Sequence, residues 1–512
     1  MSSRPFRPAA RPIAVLMALT FVVAGCSLAP KYERPAAPIP SLYPGQTGVG
    51  EVDARTLDAM TSSDLGWREF FRDPRLIALL ELALVNNRDL RIALDSVEEA
   101  RALYGITNSN RLPNVGVGAN IQVTRSPEEL RMVGTESVSR FYQAGVGLTA
   151  FELDFFGRIK NLSEAAYQQY LATAQGRRTV HLNLVAAVAE AYFRLRTSED
   201  LEVLIQKTLR SREETLALVR ARFNAGVASE LDTYQARSQL DSVRADLAAI
   251  RRAKAQSKNA LQLLIGIEEP ANLPKPAIFG RDQLLAAIPV GLPSELLVRR
   301  PDIMAAENVL LGANASIGAA RAAFFPNISI TGMLGFASPQ LGGLFSGGNR
   351  FWQYAPQLQM PIFSGGSVRS NLDLAKARKN IAVSQYEKAI QTAFREVADS
   401  LAGEATYTGQ LNALRSLQDS ASQSLRLARL RYQTGIDSFL QVQTAEVNFY
   451  AAQQALIQTG LESLLNRVEL YKALGGGWLE ETSTGKVPVT AEGAVGSIKG
   501  SHPGGQTPPK GR

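Results

Sequence analysis

RFNAGVASEL (residues 222–231) and RYQTGIDSFL (residues 431–440) are one ten-residue phrase written twice in the same chain. A longer pair lies upstream: RDLRIALDSVEEARALYGITNSNRLPNVGV (88–117) aligns with PDIMAAENVLLGANASIGAARAAFFPNISI (301–330). In that pair Asp89 falls on Asp302, and Pro113-Asn114 falls on Pro326-Asn327. Two matches, in the same order and at nearly the same offset, imply a tandem repeat of about 210 residues. Each half is therefore expected to fold to a similar unit.

Both phrases sit in long proline-free stretches, Glu128 to Glu269 and Ile362 to Val487, rich in Ala, Leu, Gln, Glu and Arg. Ile205, Leu209, Arg212, Leu216, Val219 and Phe223 are spaced four, three, four, three, four. Leu414, Gln418, Ala421, Leu425, Ala428 and Tyr432 repeat those steps at the matching positions. Such a stripe is a coiled-coil seam. Helices from about Ile159 to Phe223 and from about Val368 to Tyr432 would each reach roughly 90–100 Å, a length few compact enzymes carry.

The rest of each unit reads as strands. NVGVGANIQVT (114–124) puts Val115, Val117, Ala119, Ile121 and Val123 on one face, and glycines and polar residues on the other. YQAGVGLTAFELDFFG (142–157) places Ala144, Val146, Leu148 and Ala150 together, while NISITGMLGF (327–336) and FWQYAPQLQMPIF (351–363) occupy the corresponding places. Strands of about ten residues with one apolar face suit an outer-membrane barrel, which needs at least eight. Four strands per chain cannot enclose a lumen, so either the hairpins are soluble or several chains share one barrel.

Composition excludes other classes. A chain of 512 residues with 45% hydrophobic and 20% charged residues can hold two to four ordinary domains or one elongated one. Cys26 is the only cysteine, and His181 and His502 are the only histidines, so a disulfide framework or multi-cysteine metal site is out. Of the net charge of +8, Arg4, Arg7 and Arg11 precede Cys26. The remaining cations alternate with Asp and Glu along helical stretches, which argues against nucleic-acid binding. No P-loop, GxSxG motif or metal-ligand spacing is present, so neither cofactor nor metal is expected.

The N-terminus carries a basic region, an apolar core from Ile13 to Val23, and the small residues Ala24 and Gly25, as in a secretory leader. The core is too short to span a bilayer as a helix. VAGC resembles the bacterial lipobox, which implies a lipidated Cys26, and Ser27 after it implies sorting to the outer membrane. No later apolar run is long enough for a membrane helix, so any crossing must be made by a closed barrel. The expected organisation is a signal peptide (1–25), an anchored extended segment (26–65) and a first repeat (66–265, hairpin about 113–156). A connection (266–300), a second repeat (301–475, hairpin about 326–363) and a disordered tail (476–512) follow.

Taken together, the lipobox, GWREFFRDPRLIALLELALVNNRDLRIA (66–93), GLPSELLVRRPDI (291–303), QTAFREVADSLA (391–402) and LYKALGGGW (470–478) resemble the trimeric outer-membrane efflux channels, the TolC-type outer membrane factors, in their lipoprotein branch. The resemblance covers nearly all of the mature chain. It implies a mainly α fold, a homotrimer sharing a twelve-stranded barrel, a long periplasmic helical tunnel, and a belt built from 266–300 and the post-helix segment. It also implies a passive duct in a tripartite pump, driven by an inner-membrane transporter, with a periplasmic adaptor docking at the tips around Gly226 and Gly435. By the same resemblance Tyr432 matches a gate tyrosine, and Leu440 a position that forms an apolar ring. Where relatives carry aspartates after that leucine, this chain has Gln441 and Thr444. Asp437 and Asp232 are the nearby carboxylates, readable as gate charges or as helix-start residues. The alternative class is a lipid-anchored periplasmic scaffold or adaptor with soluble hairpins.

Overall fold

The computed structural model describes residues 27–43, 64–130, 137–277, 283–285, 288 and 293–482. The first half runs α1 (Trp67–Phe70), α2 (Pro74–Asn86), α3 (Arg88–Ser109), β1 (Val115–Arg125), β2 (Val138–Leu153), α4 (Arg158–Asn224) and α5 (Glu230–Ile265). The second runs α6 (Leu296–Arg299), α7 (Pro301–Ala322), β3 (Asn327–Ser338), β4 (Arg350–Gln359), α8 (Ser367–Gln433) and α9 (Phe439–Ala473). Helices α3 and α7 are both 22 residues long, and α4 and α8 are both 67. The long rods span roughly 100 Å each. Their heptad seam faces inward at Ile205, Leu216, Val219, Ala421, Leu425 and Tyr432, whereas Phe223 is exposed.

Four strands form one antiparallel sheet in the order β1-β2-β3-β4, so β2 and β3 join the two halves. Residues paired directly across strands share a face, and the register draws one row through Val117, Val146, Leu334 and Trp352. All four are exposed, Val117 to 87%. The opposite face carries the rows Gly116–Gly147–Met333–Gln353 and Gly118–Gly145–Gly335–Phe351. Strand β2 starts at Val138, four residues before the expected Tyr142. Ala150 does not extend the apolar face as the simple alternation predicts. The register shifts between Leu148 and Phe151, Ala150 takes φ 44°, and its N–H donates to Thr331 Oγ1 at 3.2 Å. This bulge transfers Phe151, opposite Ile330, to the apolar face.

Where the rods leave the sheet, residues 27–43 lie along them as an extended strap. Ser27 Oγ donates to Asn161 Oδ1 at 2.8 Å, near the start of α4, and Arg321, at the end of α7, donates to the Leu28 carbonyl at 3.1 Å. Farther along, Tyr32 and Arg34 clasp the Glu307 carboxylate, with Arg34 bonding both oxygens at 2.7 and 2.8 Å. Tyr43, the last described residue of the strap, stacks on Phe394 of α8 at 5.3 Å.

Midway along the rods, α1 and α2 meet α4 and the end of α9 in the largest core among the described residues. Trp67, Phe70, Leu76, Leu79 and Leu80 pack on Val185, Val188 and Tyr192 of α4 and on Tyr471 of α9. The Phe70 and Tyr471 rings stack at 3.9 Å. Phe71 bridges to Leu284, and the Trp67 N–H donates to the Leu479 carbonyl at 3.0 Å. This core, at the place where the resemblance implies a belt, draws on α1 and α2 as well as on Leu284 and on the segment after α9. The tail expected to be disordered from 476 is ordered and hydrogen-bonded through Thr482, because Trp67, Arg68 and Gly66 hold it; residues 483–512 lie outside the described residues.

Candidate functional site

Far from the sheet, each long helix reverses in a turn of the same design. Gly226 and Gly435 adopt φ 76° and 78°, the left-handed region that a helix C-terminus assigns to glycine. Val227 N–H donates to the Arg222 carbonyl and Ile436 N–H to that of Arg431, both at 2.9 Å. Both glycines have open space around them, so their backbone conformation, and no steric crowding, asks for glycine.

The returning helices start differently. Asp232 completes a capping box on α5: Ser229 Oγ accepts from its N–H and its carboxylate accepts from the Ser229 N–H, both at 3.1 Å. Ser438, the matching residue on α9, makes no such bond. Instead Asp437 takes both Nε and Nη2 of Arg431, at 2.6 and 3.1 Å. Arg431 holds the Asp437 carboxyl below its usual range. Of the two carboxylates, Asp232 is thus the helix-start residue, and Asp437 spends its charge on a neighbouring arginine.

Arg222 is the counterpart of Arg431, but the position matching Asp437 in its turn is Ala228. Its guanidinium reaches the other hairpin instead. It lies 4.5 Å from the Tyr432 ring centre and donates to the Tyr432 carbonyl at 3.3 Å, a cation–π contact across the halves. Tyr432 is buried against Phe439 at 5.6 Å. Burial raises its phenol pKa, against the pull of Arg222. Leu440, Gln441 and Thr444 stand exposed on the first turns of α9, Leu440 to 55%. The Thr444 hydroxyl donates back to the Leu440 carbonyl at 2.9 Å. Beneath them Leu216, Val219, Ala236, Leu240, Leu425, Phe439 and Val442 pack the four helices together. Sequence reasoning missed Arg222, Arg431 and a buried Glu446. The overlooked signal was Arg212, a charge inside an apolar seam.

Cys26 lies outside the described residues. Among the described residues no helix is long and apolar enough to cross a membrane, and no group of three or more His, Cys, Asp or Glu is placed to hold a metal.

An open four-stranded sheet with a continuous apolar face, set on paired rods of 67 residues, defines the class of outer-membrane channel built from several chains. The sequence matches the outer membrane efflux protein family over residues 79–267 and 292–476, and the chain belongs to that family. It is 45% identical over 458 residues to the solvent efflux pump outer membrane protein SrpC of Pseudomonas putida, covering 89% of this chain and 96% of that one. Among solved structures, a membrane protein from Pseudomonas aeruginosa superposes with a TM-score of 0.82 at 42% identity, covering 89% of this chain and 98% of that one. The open state of the Neisseria gonorrhoeae MtrE outer membrane channel gives 0.79 at 38% identity, covering 90% and 100%. The fold is therefore that of the trimeric outer-membrane efflux channels, in which three chains contribute four strands each. The protein resides in the cell outer membrane as the channel component of a tripartite efflux pump, and is a duct, not an enzyme. The scaffold alternative is set aside.

Proposed function

We propose that the chain is the exit duct for solvents and other small toxic molecules, anchored by lipid at Cys26, docked by a periplasmic adaptor at the Gly226 and Gly435 tips, and driven by an inner-membrane transporter. The observation that carries this reading is the apolar row Val117–Val146–Leu334–Trp352, which ends at two unpaired edges, β1 and β4. An open edge invites another strand, and three copies pairing β1 to β4 close a barrel whose apolar face meets lipid. The name of the Pseudomonas putida relative supports solvents as cargo. The strap supports the anchor, because it holds Ser27, next to Cys26, against Asn161 and thus near the foot of the sheet. A Cys26→Ser variant is expected to lose palmitate labelling; retained label would remove the anchor from this reading.

At the tips, Leu440 forms an apolar ring, and Gln441 and Thr444 supply a neutral lining in place of carboxylates. Tyr432 lies behind them, held by Arg222. A neutral ring neither selects cations strongly nor binds divalent ions. The test is single-channel recording in planar bilayers. The wild type should give insertion steps with weak ion preference, and Gln441→Asp should raise the cation preference. Absence of any steps would overturn the duct; an unchanged preference would place the constriction elsewhere.

A further inference from the structure

Glu446 of α9 is only 4% exposed and Arg212 of α4 only 3%, yet neither belongs to a turn, a cap or the belt. Their side chains form an ion pair in the seam between the halves. Arg429 of α8 adds a second bond to Glu446 Oε1 at 2.8 Å and donates to Ser211 Oγ of α4 at 2.8 Å. Thr215 of α4 donates to the same carboxylate oxygen at 3.3 Å. One carboxylate therefore gathers three helices, α4, α8 and α9. Burial, helped by Arg429, pushes the Arg212 guanidinium down to about 10.

Two further observations give the cluster a direction. Glu446 is on the helix that carries Leu440, Gln441 and Thr444, two residues beyond the last of them. The cluster is also absent from the internal repeat: the residues matching Arg212 and Glu446 are Ala421 and Arg237. It joins the first half to the second and has no counterpart at the matching positions. A single buried polar contact in a coiled coil sets register at some expense of stability, and here it sets the register of the lining helix.

We propose that Glu446 is the positioning residue of the periplasmic mouth, pinning α9 to α4 through Arg212 and Arg429 so that Leu440, Gln441 and Thr444 face one fixed way. This rests on the duct reading above. Removing the carboxylate charge leaves Arg212 buried beside Arg429, with Glu214 still near Arg429 but, among the described residues, no other carboxylate bonded to Arg212. Helix α9 then relieves the repulsion by moving off α4, and the apolar core beneath the tip opens with it.

Three proteins are compared as single channels in planar bilayers: wild type, Glu446→Gln, and the double variant Arg212→Met with Glu446→Met. Glu446→Gln is expected to shift the ratio of narrow to wide conductance states by roughly a hundredfold toward wide, the scale of a broken buried ion pair. The double variant removes the inner pair together, leaves the half-exposed Arg429 to water, and should return to wild-type conductance. Thermal melts of the trimers show whether either variant has lost its fold. Wild-type conductance in Glu446→Gln overturns the proposal. Equally raised conductance in both variants also overturns it, because packing and not charge would then hold the helix. If no protein produces insertion steps, the duct reading fails first and takes this one with it.

Discussion

Gly335→Val is expected to abolish the stable trimer, whereas Gly332→Ala, three residues earlier on the same strand, leaves it intact. Gly335 pairs with Gly145 where β3 meets β2, the one junction that joins the sheet contributions of the two halves. The strands approach so closely there that a β-carbon on Gly335 would fall 2.6 Å from Gly145 Cα, and one on Gly145 would fall 2.5 Å from the Leu334 carbonyl oxygen. The obstacles are backbone atoms, which cannot swing aside as a side chain can. Overpacking costs about 3 kcal/mol at the upper end of its usual range, and a trimer incurs it three times. A β-carbon on Gly332, by contrast, meets only the Gln353 carbonyl at an ordinary 3.7 Å. Semi-native gel electrophoresis of outer-membrane extracts reads the result directly. A Gly335→Val protein that still runs as a heat-modifiable trimer would show that the sheet yields at this junction.

That junction marks how far the sequence could be read. The duplication follows from the two matched phrases, and the rods and strands follow from period, because a 3.5-residue stripe and a two-residue alternation survive without knowledge of what they touch. Close backbone approach leaves no such period. Gly145 and Gly335 look like Gly116 and Gly118, which have open space around them in the chain. The Ala150 bulge was hidden for the same reason, since one inserted residue flips the faces after it without altering composition. At the tips, Gly226 and Gly435 were legible from the turn they had to make. Tyr432, Leu440, Gln441 and Thr444 were placed by resemblance. Arg222 was not found, because its partner lies 210 residues away in sequence, and only folding shows that the first hairpin reaches the second. Asp232 and Asp437 looked interchangeable in sequence. The structure separates them by two partners: Ser229, whose capping box occupies Asp232, and Arg431, which takes Asp437.

Arg300→Leu should destabilise the belt by about 3 kcal/mol, as expected when one partner is removed from a largely buried ionic network whose other members are half-exposed. Arg300 precedes α7 within the motif VRRPD and is nearly fully buried. It bonds both oxygens of Asp302, at 3.0 and 2.6 Å, and Glu396 of α8 at 2.8 Å. It also donates to the Ala473 carbonyl at the end of α9, at 2.9 Å. Burial pulls its pKa down, but Asp302 and Glu396 more than offset this. The internal repeat explains why an arginine is needed. At the matching place in the first half stands Asn87, whose side-chain amide donates at 2.9 Å to the Leu264 carbonyl. Leu264 is itself the counterpart of Ala473, so both halves tie the start of one helix to the same carbonyl near the end of another. What differs is the residue at the position of Glu396, which bonds Arg300 in the second half and is matched by Ala187 in the first. A short neutral amide suffices against alanine, and a carboxylate calls for a cation with a fork. Lysine in place of Arg300 keeps the charge but not the geometry, and should recover only part of the loss. Arg300→Asn combined with Glu396→Ala rebuilds the first half's arrangement and should melt above Arg300→Leu. Thermal unfolding of the four purified trimers orders them. If the double variant melts no higher than Arg300→Leu, the two ties are not equivalent, and the symmetry of the halves stops at their backbone.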